Sequence, residues 1–244
     1  MKPFLILQLR PETEASDDEF EAILRKGGLR ESETRRIRLD RGPIPADLDL
    51  GAHAAVIVGG GPACVSDPEH RKSPTDRQIE AELLKLMPRV TESDFPYLGC
   101  CYGIGILAHH LGASVTKDRY SEPVGAVDCQ LTADGRRDPL LSELPERFRA
   151  FVGHKEAVQS LPADCVHLIA SPPCPYQMIR YRTNVYATQF HPEADGDVFE
   201  VRIRVYRDRG YFQPEDADGL IAMCRDESVH VPERILGNFV NAYR

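Results

Sequence analysis

The stretch YLGCCYGIG, residues 97–105, sets two cysteines side by side between glycines. Gly99 and Gly103 stand two residues before and two after Cys101, whereas Leu98 and Tyr102 hold the same places around Cys100. A strand that turns sharply into a helix brings the residues on either side of its tip together, and both must lack a Cβ for the turn to close. The spacing predicts that Cys101 sits at the tip and that Cys100 points back into the core. A thiolate at the start of a helix is favoured by the amides and the dipole there, so the chemistry would be nucleophilic attack by sulfur. A buried pair of thiols beside an ordinary turn is the competing reading of this stretch alone.

A nucleophile needs a base. In YATQFHPEAD, residues 186–195, an extended run ends at His191 and Glu193 follows two residues later. In an extended chain residues i and i+2 face the same way, so Glu193 can accept a hydrogen bond from one imidazole nitrogen while the other faces a thiol. A third stretch, VIVGGGPACVSD at 56–67, ends a strand in three glycines and a proline. Backbone N–H groups there can approach a ligand and hold a developing oxyanion. The stretch is not GxGxxG and no GK[ST] follows, which argues against a nucleotide loop.

In this order, at the ends of successive strands, these elements resemble the class I (triad-type) glutamine amidotransferases across residues 50–195. Gly60, Gly61 and Pro62 match the family's Gly-Gly-Pro, residues 99–103 its Gly-x-Cys-x-Gly, and residues 191–193 its His-Pro-Glu. GHKEAVQSLP at 153–162 is similar to the segment ahead of that histidine through His154, Glu156 and Val158, and LGNFV at 236–240 is similar to the closing helix. Within the family the likeness is to the amidotransferase domain of GMP synthase.

The resemblance implies that Cys101 attacks the side-chain amide of glutamine after His191 takes its proton, with Glu193 orienting the ring. The backbone N–H groups of Gly61 and Tyr102 would hold the oxyanion, and Gly60, Gly105, His154 and Glu156 would lie against the substrate. Glutamate and ammonia are the implied products. Neither a metal nor an organic cofactor is implied, and the implied partner is a separate ammonia-accepting synthetase.

The chain departs from the family at Ile104 and Gly105, where His-Gln or Met-Gln is usual and the glutamine helps to hold the substrate. Losing one such hydrogen bond is worth about 1 kcal/mol. Lys155 stands where small residues are common, and Glu156 where aspartate is usual. Three readings follow: a glutamine amidohydrolase, a hydrolase of other γ-glutamyl amides or peptides, and an amidotransferase-like binding or regulatory subunit.

The elements that must position these residues are legible too. FLILQL at 4–9 reads as a buried strand, 16–28 as a helix capped by Ser16 and stopped by Gly27 and Gly28, and 34–40 and 54–61 as strands. Residues 75–90 read as a helix, 95–100 as a strand, and 105–112 as a short helix ended by Gly112. The region 113–190 is rich in strand signals, and helices are expected at 198–206, 214–227 and 232–243. The expected fold is α/β: a single domain, 1–244, with a mostly parallel, flavodoxin-like central sheet flanked by helices and an added antiparallel region.

Composition narrows the function classes. The 244 residues carry a net charge of −8, against the basic face that nucleic-acid binders use. No apolar run approaches the ~20 residues needed to span a bilayer, and the N-terminus lacks a cleavage site, so a cytoplasmic protein is expected. With the chain ending at Arg244, no fused synthetase is expected.

The seven cysteines are irregularly spaced without a CxxC pair, which supports neither a disulfide framework nor a zinc site. Cys129, Cys165 and Cys224 read as core thiols and Cys174 as a buried loop thiol. His109 and His110 point about 100° apart on a helix and do not chelate one metal. RVYRDRGYF at 204–212 reads as a solvated helix face rather than an anion or nucleic-acid site.

Overall fold

In β1, Phe4–Gln8, every residue is buried, with Phe4 and Ile6 packed into one layer of the core and Leu5 and Leu7 into the other. That is the signature of a strand covered on both faces. The computed structural model describes residues 2–244. β2 (Thr34–Arg38), β3 (Val56–Val58), β4 (Tyr97–Cys100) and β11 (Val185–Thr188) join β1 in parallel, in the order β2-β1-β3-β4-β11.

Beyond β11 the sheet continues antiparallel through β10 (Met178–Tyr181), β9 (Cys165–Ala170), β6 (Glu122–Leu131) and β7 (Arg147–His154), nine strands in all. β5 (Val115–Thr116) and β8 (Ala157–Val158) form a small second sheet. The expected mostly parallel sheet with an antiparallel extension is the one observed.

Helices α1 (Thr13–Gly27) and α6 (Val231–Tyr243) cover one face through Phe20, Ile23, Leu236 and Phe239. Helices α2 (Pro74–Glu92) and α3 (Tyr102–His110) cover the other through Leu83, Met87, Ile104 and Leu107. α4 (Gly196–Val205) and α5 (Ala217–Asp226) pack against the β7 side around Phe151, Phe199 and Ile221. Among the described residues no helix is long and apolar enough to cross a membrane.

Some local readings need correction. α1 starts at Thr13, not after Ser16, whose carbonyl instead accepts from Gln8 Nε2 at 2.6 Å and whose hydroxyl accepts from Arg36 at 3.1 Å. Tertiary partners have taken over a side chain suited to capping. β3 stops at Val58, although Gly59 N–H still donates to Leu7 O of β1 at 2.9 Å, and α3 already begins at Tyr102.

Cys165 is half-buried on β9, whereas Cys129, Cys174 and Cys224 are buried as expected. The segment 204–212 is not one helix face, since α4 ends at Val205. Arg204, Arg207 and Arg209 do face solvent, but Tyr206 is buried and Tyr211 and Phe212 turn inward onto a cavity.

Candidate active site

The carboxyl ends of β1, β3, β4 and β11 converge, the place where open α/β sheets bind ligands. β4 runs into α3 through Cys101, whose backbone is left-handed at φ 52°, ψ −92°. A residue other than glycine in such a conformation costs about 1–3 kcal/mol and persists only where its surroundings enforce it. Enforcement comes from Cys101 N–H, which donates to Thr188 O on β11 at 2.7 Å.

A Cβ at Gly99 would sit 2.6 Å from the Tyr97 hydroxyl and 3.0 Å from the Gly103 carbonyl carbon, so the turn closes only over glycine there. At Gly103 the nearest atom would be 3.3 Å away, a milder demand. Cys100 is 1% exposed and packs with Leu98 on the α1/α6 face, while Cys101 is half-buried and lines a cavity. The two thiols divide as their glycine spacing predicts.

His191 N–H donates to Phe151 O at 3.0 Å, and its Nδ1 pairs with Glu193 Oε1 at 2.9 Å. Both side chains are buried. The contact is made by a turn, with Ala194 N–H donating to His191 O, rather than by an extended chain. Nε2 makes no hydrogen bond among the described residues, and the ring lines the cavity with Cys101.

Gly60 is wedged between them. A Cβ there would lie 2.7 Å from His191 Cε1, 2.8 Å from Arg10 Nη2 and 3.6 Å from Cys101 Cβ. Its N–H donates to Glu19 at 3.2 Å, and a Cβ at Gly59 would overlap Glu19 at 2.3 Å. Gly61 N–H finds no protein acceptor among the described residues. Tyr102 is the first residue of α3, and the first N–H groups of a helix have no partner within it.

Sequence reasoning missed the ions behind the histidine. Arg10 donates from Nε to Glu19 at 2.8 Å, and Arg202 donates from Nη2 to Glu193 Oε1 at 2.7 Å and lies 3.7 Å from Glu19. These residues come from the end of β1, from α1, from α4 and from the turn before it, and no local spacing links them. The only hint in the chain was the glycine run, whose first member makes room for Glu19.

Burial pushes the Cys101 thiol up to about 12, against the pull of the Arg10 and Arg202 guanidiniums. The resting sulfur is therefore a thiol, not the thiolate expected from the helix dipole. Burial also holds His191 below the ordinary histidine range, over the opposing pull of Glu193. Despite burial, His191 and Arg202 keep the Glu193 carboxyl well below the usual carboxylate range. At neutral pH the set is a thiol, a neutral imidazole and a carboxylate, which is a protonated nucleophile beside a competent base.

A second, narrower cavity of about 20 Å3 meets the first at Cys101 and is lined by Gly105, His154, Lys155, Glu156 and Gln189. Of the expected substrate contacts, Gly105, His154 and Glu156 gather here while Gly60 lies between Cys101 and His191, and the polar side-chain atoms of His154 and Glu156 are committed. Glu156 accepts from Val65 N–H at 2.7 Å and Ser66 N–H at 2.8 Å. His154 uses Nδ1 on Glu156 O at 2.8 Å and Nε2 on Glu122 at 2.7 Å. These two side chains shape the pocket rather than offering free groups to it.

A Cβ at Gly105 would touch Val65 at 3.3 Å and Glu156 at 3.6 Å, so part of the room vacated there is taken by them. Lys155 donates to Arg209 O at 2.9 Å and lies 4.0 Å from the Tyr211 ring centre, and Tyr211 donates to Pro62 O at 3.1 Å. The turn after α4 is thereby strapped across both cavities.

Glu122 also accepts from Gln177 at 2.6 Å and Ser171 at 3.0 Å. Cys174 stands within 4.8 Å of the Glu122 and His154 ligand atoms. The direct His154–Glu122 hydrogen bond occupies the space a cation between them would need.

The family model described as glutamine amidotransferase class-I matches residues 17–203. GMP synthase (glutamine-hydrolyzing) of Thermomicrobium roseum is 32% identical over 155 residues, 62% of this chain and 26% of that one. One of the subunits of the glutamine-hydrolyzing GMP synthase of Thermoplasma acidophilum is 28% identical over 169 residues, 66% of this chain and 75% of that one. The chain thus spans about a quarter of the length of the first of these GMP synthases and of the one of Thermosipho africanus that it also matches. Among solved structures, a glutamine amidotransferase from Thermotoga maritima superposes with a TM-score of 0.79 at 20% identity, over 100% of this chain and 98% of that one. One from Methylobacillus flagellatus gives 0.71 at 19% identity, over 100% and 96%. At these identities the likeness is one of fold.

Proposed function

The chain belongs to the class I glutamine amidotransferase family, and on that premise we propose that it hydrolyses a γ-glutamyl amide, glutamine being the simplest, through a thioester on Cys101. His191 Nε2 takes the thiol proton as sulfur attacks the amide carbonyl, and Glu193 fixes the ring so that Nε2 faces the sulfur. The negative oxygen that develops is held by the N–H groups of Gly61 and Tyr102; losing one such donor typically costs ~100-fold or more. His191 then gives the proton to the departing nitrogen, and water, activated by the same imidazole, releases glutamate and restores the thiol.

Gly60 lets Cys101, His191 and Arg10 close around one point. The cavity walled by Gly105, His154, Lys155 and Glu156 takes the glutamyl part, with Glu156 and His154 as positioning residues. The ammonia of glutamine would serve a separate synthetase, in keeping with the naming of the Thermoplasma relative as one component of a larger enzyme.

The observation that carries the reading is the strained Cys101 beside a buried imidazole whose far nitrogen is held by a carboxylate at 2.9 Å. The test is glutamate release from glutamine, together with labelling of the thiol by a diazoketone analogue of glutamine. Wild-type protein is expected to do both and Cys101→Ala neither. Release that survives in Cys101→Ala and vanishes in Cys100→Ala overturns the assignment.

A further inference from the structure

The two cavities that meet at Cys101 hold about 40 and 20 Å3, room for a few water molecules and no more. A site for a small organic ligand usually offers about 300 Å3 or more. A third cavity, of about 350 Å3, shares walls with both and is lined by Ser121, Pro123, Val124, His154, Lys155 and Tyr211 among others. Tyr211 lines all three cavities, and Lys155 lines the second and the third. These two side chains thus partition a space of substrate size from the sulfur.

Tyr211 belongs to the strap. The turn 206–213 leaves α4 at buried Tyr206, runs exposed over residues 207–210, and passes through Gly210 at φ 71° before Tyr211 and Phe212 turn inward. Three polar contacts hold it down: the Tyr211 hydroxyl donates to Pro62 O at 3.1 Å, the Lys155 ammonium to Arg209 O at 2.9 Å, and Arg209 to Glu12 at 2.7 Å. A segment held by few contacts opens at low cost, and a left-handed glycine can absorb the backbone change. Among the described residues Lys155 is the one lysine or arginine lining the second or the third cavity, and it pairs with no carboxylate. Its partners are the Arg209 carbonyl and the Tyr211 ring, whose centre lies at 4.0 Å. Burial pulls this ammonium below the ordinary lysine range, as expected of a charge without a counter-charge.

We propose that the turn 206–213 is a lid latched by Lys155, that substrate gathers in the third cavity and displaces the latch, and that the released ammonium takes the α-carboxylate of the glutamyl group. The inference rests on the hydrolase reading above and adds the residue that admits and holds the substrate. It gives the charge at position 155 a task, and it supplies an anchor where Gly105 offers no side chain. The ammonium exchanges a carbonyl and a ring for a carboxylate, a stronger partner for a cation.

The test measures access to the sulfur and selectivity, both on the full chain. Access is the rate at which iodoacetamide, small and uncharged, alkylates Cys101, read by mass spectrometry and resolved from Cys100 by fragmentation. Selectivity is the ratio of kcat/KM for glutamine to that for glutamine α-amide, reading ammonia. Lys155→Met should be alkylated at least fivefold faster than wild type, yet its ratio should fall at least tenfold, mainly through KM for glutamine. A merely structural loss would lower activity on both substrates alike. Tyr211→Ala should also be alkylated faster, with the ratio within twofold of wild type. Alkylation unchanged in either variant overturns the lid, and a ratio unmoved by Lys155→Met overturns the anchor, while ammonia release by wild type leaves the hydrolase reading intact. Ammonia from neither substrate with wild-type protein overturns that reading and the anchor with it, and the lid then stands or falls by alkylation alone.

Discussion

Cys101, His191 and Glu193 lie where β4 and β11 end; Cys174, His154 and Glu122 lie where β7 ends and β9 turns back. Both sets pair a buried histidine with a buried glutamate, at 2.9 and 2.7 Å. They differ in what is left over. His154 has both ring nitrogens bonded, whereas His191 keeps Nε2 free on a cavity wall. Cys174 is fully buried on ordinary backbone, while Cys101 is half-buried and held at a left-handed φ. Residue types that suit catalysis can thus sit in a fully bonded scaffold or in a site with unused valence, access and strain, and the proposed chemistry belongs to the second. The pattern of residues alone does not separate them.

The sharpest way to break that contrast is to remove each sulfur. Cys101→Ala should lower glutamate release roughly 10^4-fold or more, as loss of a nucleophile does, and Cys174→Ala should leave it within twofold. Equal losses in steady-state assays would sink the distinction. Next come the carboxylates. Glu193→Gln is expected to cost ~10^3-fold or more in kcat, since it removes the group that fixes the base, and to lower stability by about 3 kcal/mol, since buried Arg202 loses its carboxylate partner.

His154→Asn should act on stability first. It leaves Glu122 short of a partner in the interior, a loss of about 3 kcal/mol in urea unfolding. A pH profile sharpens the comparison further. Protonated His191 cannot accept the thiol proton, so activity is present above its folded pKa and lost below it. Because burial lowers that pKa, the acid limb should have its midpoint below the ordinary ~6.5. A midpoint at or above that value, from kcat/KM between pH 4 and 9, contradicts the buried neutral base. The smallest effect is expected at Tyr211→Phe, which removes one hydrogen bond to Pro62 O and should change KM less than tenfold.

Much of this was legible in the chain. The central strands β1 and β3 announce themselves by continuous apolar runs, and Gly99 with Gly103 assigned the tip of the elbow to Cys101. The pairing of His191 with Glu193 was legible as well, although a turn rather than extended backbone brings it about. What stayed hidden is non-local. Arg10, Glu19 and Arg202 meet only because β1, α1 and α4 converge, and such a cluster has no period or spacing. Ser16 was misread for a related reason: a side chain suited to capping was claimed by Gln8 and Arg36 from β1 and β2. The arginines of 204–212 masked the aromatics between them, whose burial depends on a helix end at Val205.

Arg10, Arg202, Glu19 and Glu193 are each less than a tenth exposed, and their formal charges sum to zero. Moving a proton from the sulfur of residue 101 to the imidazole separates charge inside this group without altering the total. Mobile ions screen exposed charges over about 8 Å at physiological ionic strength but penetrate an enclosed cluster poorly. The acylation step should accordingly run at nearly the same speed in dilute buffer and in concentrated sodium chloride, leaving any salt sensitivity to the capture of a charged substrate from bulk water.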